Sequence, residues 1–273
     1  MRVLLTGHRG RIGRHVVAEL ECRGDAVVGF DLAEGDDVLD LGAVTRAAAG
    51  CDAVVHLAAI PHDTAGSPEE IMAVNVLGTW HVLLAAEAAG SQRVVHFSSV
   101  QALGTSEGER LPDYLPLDDE HPRRAVRPYG LSKRLAEDLC EAFTASTALA
   151  TVSLRPVAVW GPETYARVAA ERAAEPRREW EPFWEYGAFV DVRDVASAVT
   201  SALTVPLSGH HRLLLCAADI SASAPSLEIA GRLAPGVPVR DRRRYGADPW
   251  RALVDCSAAH TALGWRPRHR WTS

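Results

Sequence analysis

Arg2-Val3-Leu4-Leu5-Thr6-Gly7-His8-Arg9-Gly10-Arg11-Ile12-Gly13 opens the chain and decides its fold. The apolar run to Thr6 has a strand pattern. After the glycines, Ile12, Val16, Val17 and Leu20 recur at helical spacing within Arg11–Arg23. A glycine turn between strand and helix lets the backbone approach a pyrophosphate. The helix start adds free N–H groups and a positive dipole end. Glycine spacing alone is weak evidence, but an acidic residue closing the next strand strengthens it, and Asp31 ends Val27-Val-Gly-Phe-Asp31. A carboxylate there accepts the adenosine ribose hydroxyls and repels a 2′-phosphate, which predicts NAD. The plain alternative is an Asp that caps the next turn. Arg9 lies inside the turn and can reach a 2′-phosphate, so NADP stays open.

Working outward, strands are expected at Ala26–Phe30, Ala53–Leu57, Arg93–Phe97 and Thr151–Leu154. Helices are expected at Glu69–Ala89 and at Tyr129–Ala145, the latter entered through Pro128. Beyond Pro162 the pattern gives a partly helical, Arg-rich stretch over Glu163–Glu179, a strand at Phe189–Val192 leading to a helix through Val205, a strand at Arg212–Cys216 and a helix at Leu227–Leu233. Such alternation predicts an α/β fold, a Rossmann doubly wound parallel sheet with a small C-terminal substrate lobe. Residues 1–162 form the dinucleotide-binding region. Residues 163–273 form the lobe, interleaved with the same sheet as one structural unit.

Charge is uneven. The 273 residues carry a net −6, yet residues 231–273 hold nine Arg against Asp241, Asp248 and Asp255, a net +6, leaving −12 for the rest. A basic end can face an anionic substrate, although a solvated or oligomer-contacting face, as in a homodimer, explains it as well. Trp250, Trp265 and Trp271 suit packing as readily as base stacking, and no nucleic-acid partner is expected. The five cysteines are scattered without metal-ligand spacing, which predicts no metal, reduced thiols and a cytoplasmic location. The start runs straight into a strand, leaving no room for a signal peptide, and no apolar run approaches a membrane span, so no membrane contact is expected.

Among 29 basic residues 28 are arginine, and the one lysine is Lys133. An ammonium kept where Arg is used everywhere else marks a site at which the two cations are not interchangeable. Tyr129-Gly-Leu-Ser-Lys133 places a phenol four residues before it, on one helical face. A free phenol titrates near pH 10. A nearby ammonium stabilises the phenolate and makes Tyr129 usable as a general base or acid, and Lys133 can also hold a ribose.

In this order, Thr6-Gly-x-x-Gly-x-x-Gly13, Asp40-Leu41, His56-Leu-Ala-Ala59, Asn75-Val-x-Gly78, Phe97-Ser-Ser99, Tyr129-x-x-x-Lys133, Leu154-Arg-Pro156, Gly161-Pro162, Phe189-Val-Asp-Val-Arg-Asp-Val195 and Leu263-Gly-Trp-Arg-Pro267 resemble the extended short-chain dehydrogenase/reductases, the NAD-dependent epimerase/dehydratase family. The resemblance implies a catalytic set of Ser99, Tyr129 and Lys133. It implies cofactor contacts from Gly7, Arg9, Gly10, Arg11, Ile12, Gly13, Asp31, Asp40, Leu41, Leu57, Ala58, Ala59, Asn75 and Pro156, with Tyr129 and Lys133 shared. Asp40 and Leu41 would lie against the adenine, and Asn75 would brace the site.

Departures from the family pattern narrow the reaction. Val100-Gln101 follow Ser99 where the 4,6-dehydratases carry Asp-Glu. Gly187-Ala188 precede Phe189 where nucleotide-sugar epimerases carry an Arg for the diphosphate, and only 26 residues separate Pro162 from Phe189. In size the lobe is similar to that of uronate dehydrogenases. Arg243-Arg244 before Gly246-x-Asp248 resembles the family's C-terminal Arg motif. The expected reaction is hydride transfer between NAD and a small sugar, uronate, polyol or keto substrate, with His62, Ser99, Gln101, Tyr165 and Arg167 as candidate substrate contacts. Trp180, Phe183, Trp184 and Tyr186, between Pro176 and the lobe strand, are expected to close a pocket or pack the lobe rather than open a groove for a nucleotide. A sugar or sugar-nucleotide epimerase with tightly bound NAD and a non-catalytic NAD(P)-binding regulator are the alternatives.

Overall fold

The computed structural model describes residues 1–105, 109–175 and 186–271. Six parallel strands form the main sheet: β1 (Arg2–Thr6), β2 (Ala26–Phe30), β3 (Ala53–His56), β4 (Arg93–Phe97), β5 (Ala150–Pro156) and β8 (His210–Leu215), in the order β2-β1-β3-β4-β5-β8. Two short strands, β6 (Val159–Trp160) and β7 (Val190–Asp191), pair separately. The central strands are apolar because both faces are covered; every residue of β3 and β5 is buried.

Alternation along β1 divides the core. Val3 and Leu5 pack with α1 (Arg11–Cys22) through Val16 and Leu20, and with α7 (Val192–Thr204) and α10 (Ser257–Leu263). Leu4 and Val54 face the other way, onto α2 (Leu41–Ala48), α4 (Gly78–Ala88) and α5 (Pro128–Ser146). Strand β1 therefore has β2 on one side and β3 on the other, and the chain winds away from it in both directions. That switch point opens a crevice at the carboxyl ends of the strands. Residues after Pro162 enter the same framework, since β8 extends the sheet beside β5 and α7 covers it.

The helix expected over Glu69–Ala89 is present with an interruption. It comprises α3 (Pro68–Met72), a single wide π-turn at Ala73–Leu77 and α4. This 21-residue stretch, Pro68–Ala88, is long and apolar enough to cross a membrane by length and composition, which corrects the expectation that no such run exists. In the fold its Val82, Leu83, Ala85 and Ala86 are buried against the sheet.

Beyond β6, α6 (Pro162–Ala174) is the helical part expected after Pro162. Pro176, Trp180, Pro182, Phe183 and Trp184 lie outside the described residues. Two carboxylates hold the C-terminal segment in place. Buried Asp194 on α7 accepts the backbone N–H groups of Arg268 and His269, at 3.0 and 2.9 Å. Asp191 caps α7 and accepts the Arg193 guanidinium and the Tyr165 phenol. The helices α8 (Ser226–Leu233) and α9 (Arg244–Ala247) complete the lobe.

A buried hydrogen-bond relay joins the strand ends beneath the crevice. The Thr79 hydroxyl donates to the Asn75 carbonyl at 2.6 Å, so toward His56 Nε2, 3.1 Å away, it acts as acceptor. The ring proton therefore sits on Nε2, and Nδ1 accepts from the Thr6 hydroxyl at 2.7 Å. Burial, with the Lys133 charge adding to it, pushes His56 down to about 3. The unfolded chain takes up this proton below its ordinary 6.5 while the folded ring stays neutral to about 3, so His56 removes stability as pH falls through that window. Ring 15N spectra at pH 5 are expected to show a neutral Nε2–H tautomer; a cationic ring at that pH contradicts the relay.

Candidate active site

The glycine turn is tight at two points. Gly7 has φ +73°, and a Cβ there would lie 2.8 Å from the Ala58 nitrogen. A Cβ on Gly13 would lie 2.2 Å from the Gly7 carbonyl oxygen, closer than any side chain can come. Gly10 caps α1 without a side-chain hydrogen bond, so the first N–H groups of the helix keep their capacity for an anion. This cradle fits a pyrophosphate. It opens into a cavity of about 1240 Å³ whose walls include Gly7, Gly10, Arg11, Ile12, Gly13, Leu57, Ala59, His62, Ser99, Gln101, Tyr129, Lys133 and Pro156. That volume exceeds a usual small-ligand pocket and suits a dinucleotide with a small substrate beside it.

Other expected contacts are placed differently. Asn75 is buried in the π-turn and spends its amide on the Ile60 backbone (2.8 and 3.0 Å) and on Ser132 Oγ, which itself donates to the Tyr129 carbonyl. It braces the site rather than lining it. Ala58 offers its N–H to Thr6 Oγ1. Asp40 caps α2 by accepting from Ala43, and Leu41 is an exposed side chain; neither belongs to the cavity wall. Tyr165 lies apart from this cavity wall: its phenol donates to Asp191, and its ring packs against Trp160, Phe189 and Trp271. Arg167 is also outside it, an exposed partner of Glu171 one turn away.

Asp31 accepts the backbone N–H groups of Arg9 and Ala33, both at 2.9 Å, one on each oxygen. The turn-capping alternative therefore describes what it does in the fold. Each oxygen keeps a lone pair for a ribose hydroxyl. The Arg9 guanidinium pairs with Glu34 at 2.8 Å, which neutralises the charge that suggested a 2′-phosphate.

Helix α5 delivers the reactive pair. Pro128 occupies its first turn, and Asp63 accepts the Tyr129 N–H at 2.7 Å, satisfying an orphan donor where a negative charge is favoured. Lys133, one turn on, is 5% exposed and donates to the Phe97 carbonyl at 2.8 Å, its Nζ 5.7 Å from the Tyr129 ring centre. Burial pulls Lys133 down to about 8, opposed by Glu137 and, more weakly, Cys140. Ser99 caps a short 3-10 turn and accepts from the Gln101 N–H at 3.2 Å, which leaves its own O–H to donate into the cavity. A substrate oxygen held by Ser99 and Tyr129 can lose or gain a proton there.

Sequence reasoning missed the layer beneath this pair. Glu137 and Arg155 are fully buried and joined by two 2.8 Å contacts, and Ser98 Oγ donates to Glu137. The four-residue step from Lys133 to Glu137 was a visible signal. Asp63 had none, because it meets Tyr129 from 66 positions away.

The profile of the NAD dependent epimerase/dehydratase family matches residues 3–215. A uronate dehydrogenase from Pseudomonas syringae pv. tomato is 31% identical over 166 residues, 56% of this chain, and the match spans 58% of that relative's length. A UDP-glucose 4-epimerase from Rhizobium meliloti is 26% identical over 98% of the chain and 92% of the relative. A short-chain dehydrogenase/reductase superfamily protein from Agrobacterium tumefaciens, solved with bound NAD, superposes with a TM-score of 0.74 at 24% identity, covering 100% of this chain and 94% of that one, and shares the fold.

Gly13→Ala is expected to weaken NAD binding at least tenfold by calorimetry, since its methyl group collides with the Gly7 carbonyl; unchanged affinity contradicts the cradle. Asp31→Ala should narrow or reverse a preference for NAD over NADP. Tighter NADP binding by the unaltered protein means that Arg9 outweighs Asp31.

Proposed function

Because the chain belongs to the NAD dependent epimerase/dehydratase family, an NAD-binding enzyme family, we propose that it is an oxidoreductase acting on a small free sugar, uronate, polyol or the corresponding carbonyl compound. NAD, when bound, accepts or supplies the hydride. Tyr129 takes the substrate hydroxyl proton in oxidation and returns it in reduction, Lys133 stabilises the phenolate, and Ser99 donates to the reacting oxygen.

The observation that carries the substrate class is Ala188. Just before Phe189, where the family's nucleotide-sugar enzymes place an Arg, it is 1% exposed and packed in the core. The neighbouring Gly187, at φ +80°, would bring a Cβ within 3.3 Å of Ile220. A guanidinium at either position would have to displace these neighbours or adopt a strained backbone. The motif-like Arg244 is paired with Asp255 at 2.7 Å. A diphosphate in the substrate site would lack the guanidinium that the nucleotide-sugar enzymes place before this strand, at a cost on the order of a few kcal/mol. The match along nearly the whole length to a UDP-glucose 4-epimerase favours the second reading, an epimerase that retains NAD.

Tyr129→Phe is expected to keep fold and NAD affinity while lowering turnover by orders of magnitude; unchanged turnover removes Tyr129 from the chemistry. The unaltered protein should reduce NAD with free aldoses or uronates, or oxidise NADH with their carbonyl forms. UDP should bind weakly at the substrate site when NAD is present. Submicromolar UDP affinity by calorimetry, with NAD copurifying and no net redox change, establishes the epimerase instead.

A further inference from the structure

We infer that Glu137 is the positioning residue that keeps Lys133 charged and the Ser99-bearing strand end in place, acting from a buried ion cluster with Arg155 and Ser98. The role of Lys133 rests on the function proposed above, but its charge state can be read without turnover.

Tyr129, Lys133 and Glu137 follow one another at four-residue steps and share a face of α5. Tyr129 and Lys133 reach the cavity, whereas Glu137 points into protein and is 0% exposed. A buried carboxylate needs partners. Arg155 of β5 supplies Nε and Nη2 at 2.8 Å each, with Arg123 at 3.4 Å and Arg212 at 3.7 Å behind it. The Ser98 hydroxyl donates at 2.5 Å.

Phe97, the last residue of β4, and Ser98 after it are thereby held by α5, and Ser99 follows directly. The Phe97 carbonyl accepts from Lys133, Ser98 binds Glu137, and Ser99 is presented to the cavity. An apolar residue at position 137 would fill the space but would not hold Ser98 or supply charge.

Charge is the scarcer commodity around Lys133. Its carbonyl partner is neutral, and among the described residues no carboxylate comes within 4.0 Å of it. His56 of β3 and His96 of β4 face it as neutral rings, both pushed down by burial first. The Cys140 thiol on α5 is pushed up to about 12 by burial and stays protonated at neutral pH. Asp119, on the far side of Arg155, is raised to about 7 by its own burial. Glu137 is left as the main support for the ammonium against burial.

The single lysine makes the test direct, because protein labelled with ε-15N-lysine gives one side-chain signal. In the full-length protein that signal is expected to titrate near 8, and in Glu137→Gln at least one unit lower. One unit is a tenfold change in the proton equilibrium and takes the ammonium at pH 7 from about nine-tenths to about half. The pH profile of turnover should show the same displacement. Glu137→Asp, which retains the charge, should restore a midpoint near that of the parent.

Circular dichroism tests whether Glu137→Gln is folded. If it is not, Glu137→Met, whose apolar chain fills the space while Arg155 keeps Asp119 at 3.6 Å, takes its place with the same expected displacement. An unshifted midpoint in the folded variant overturns the inference and leaves the proposed function standing. A shifted midpoint in a protein whose Tyr129→Phe variant is fully active confirms the charge effect and overturns the function instead.

Discussion

The cavity end of the sheet is tied together by the chain of hydrogen bonds that passes through His56. Thr6 at the end of β1, His56 at the end of β3, Thr79 on α4 and Asn75 in the π-turn are linked in sequence. Asn75 then reaches Ile60 and Ser132, and through Ser132 the first turn of α5. The glycine turn and the Tyr129–Lys133 helix are thus linked by polar contacts among buried side chains, where each is costly to leave unmade. The π-turn belongs to this chain. It accompanies the point where the long helix must turn an amide toward the loop at Ile60, a placement typical of functional segments.

Much of this architecture was legible in the residues. The parallel strands announced themselves as apolar β-branched runs. The glycine turn, Asp31 and the Tyr129–Lys133 step carried local signals that need no partner to be read. What escaped was of two kinds. Asp63, the Asn75–Ser132 contact and the clasp of Asp194 on residues 268–269 are pairings across long sequence separations, which no window of residues displays. Tyr165 and Arg167 were assigned by their chemistry alone, and in the fold the phenol is bonded to Asp191 and the guanidinium to Glu171. Asp31 illustrates a third situation, in which the structural and the functional readings share one carboxylate.

Burial and charge are balanced in layers behind the cavity. The outer layer is lined by the cationic but desolvated Lys133; the inner one holds Glu137 between guanidiniums. Replacing such an inner pair with apolar groups can leave a fold intact or more stable. Its presence here has a use beyond stability, in the field at Lys133 and in the direction of the strand end at Ser99.

The burial of Lys133 also reaches into how the molecule meets reactive chemistry. All 28 other basic side chains are arginines, so no lysine amine is displayed on the surface. Acyl donors, reducing sugars and aldehydes that glycate or crosslink exposed lysines therefore encounter guanidiniums instead, which stay protonated and are poor nucleophiles at neutral pH. An enzyme handling free sugars, whose open forms are such aldehydes, would be spared lysine glycation at its surface, and the one lysine amine it does risk lies in the cavity wall.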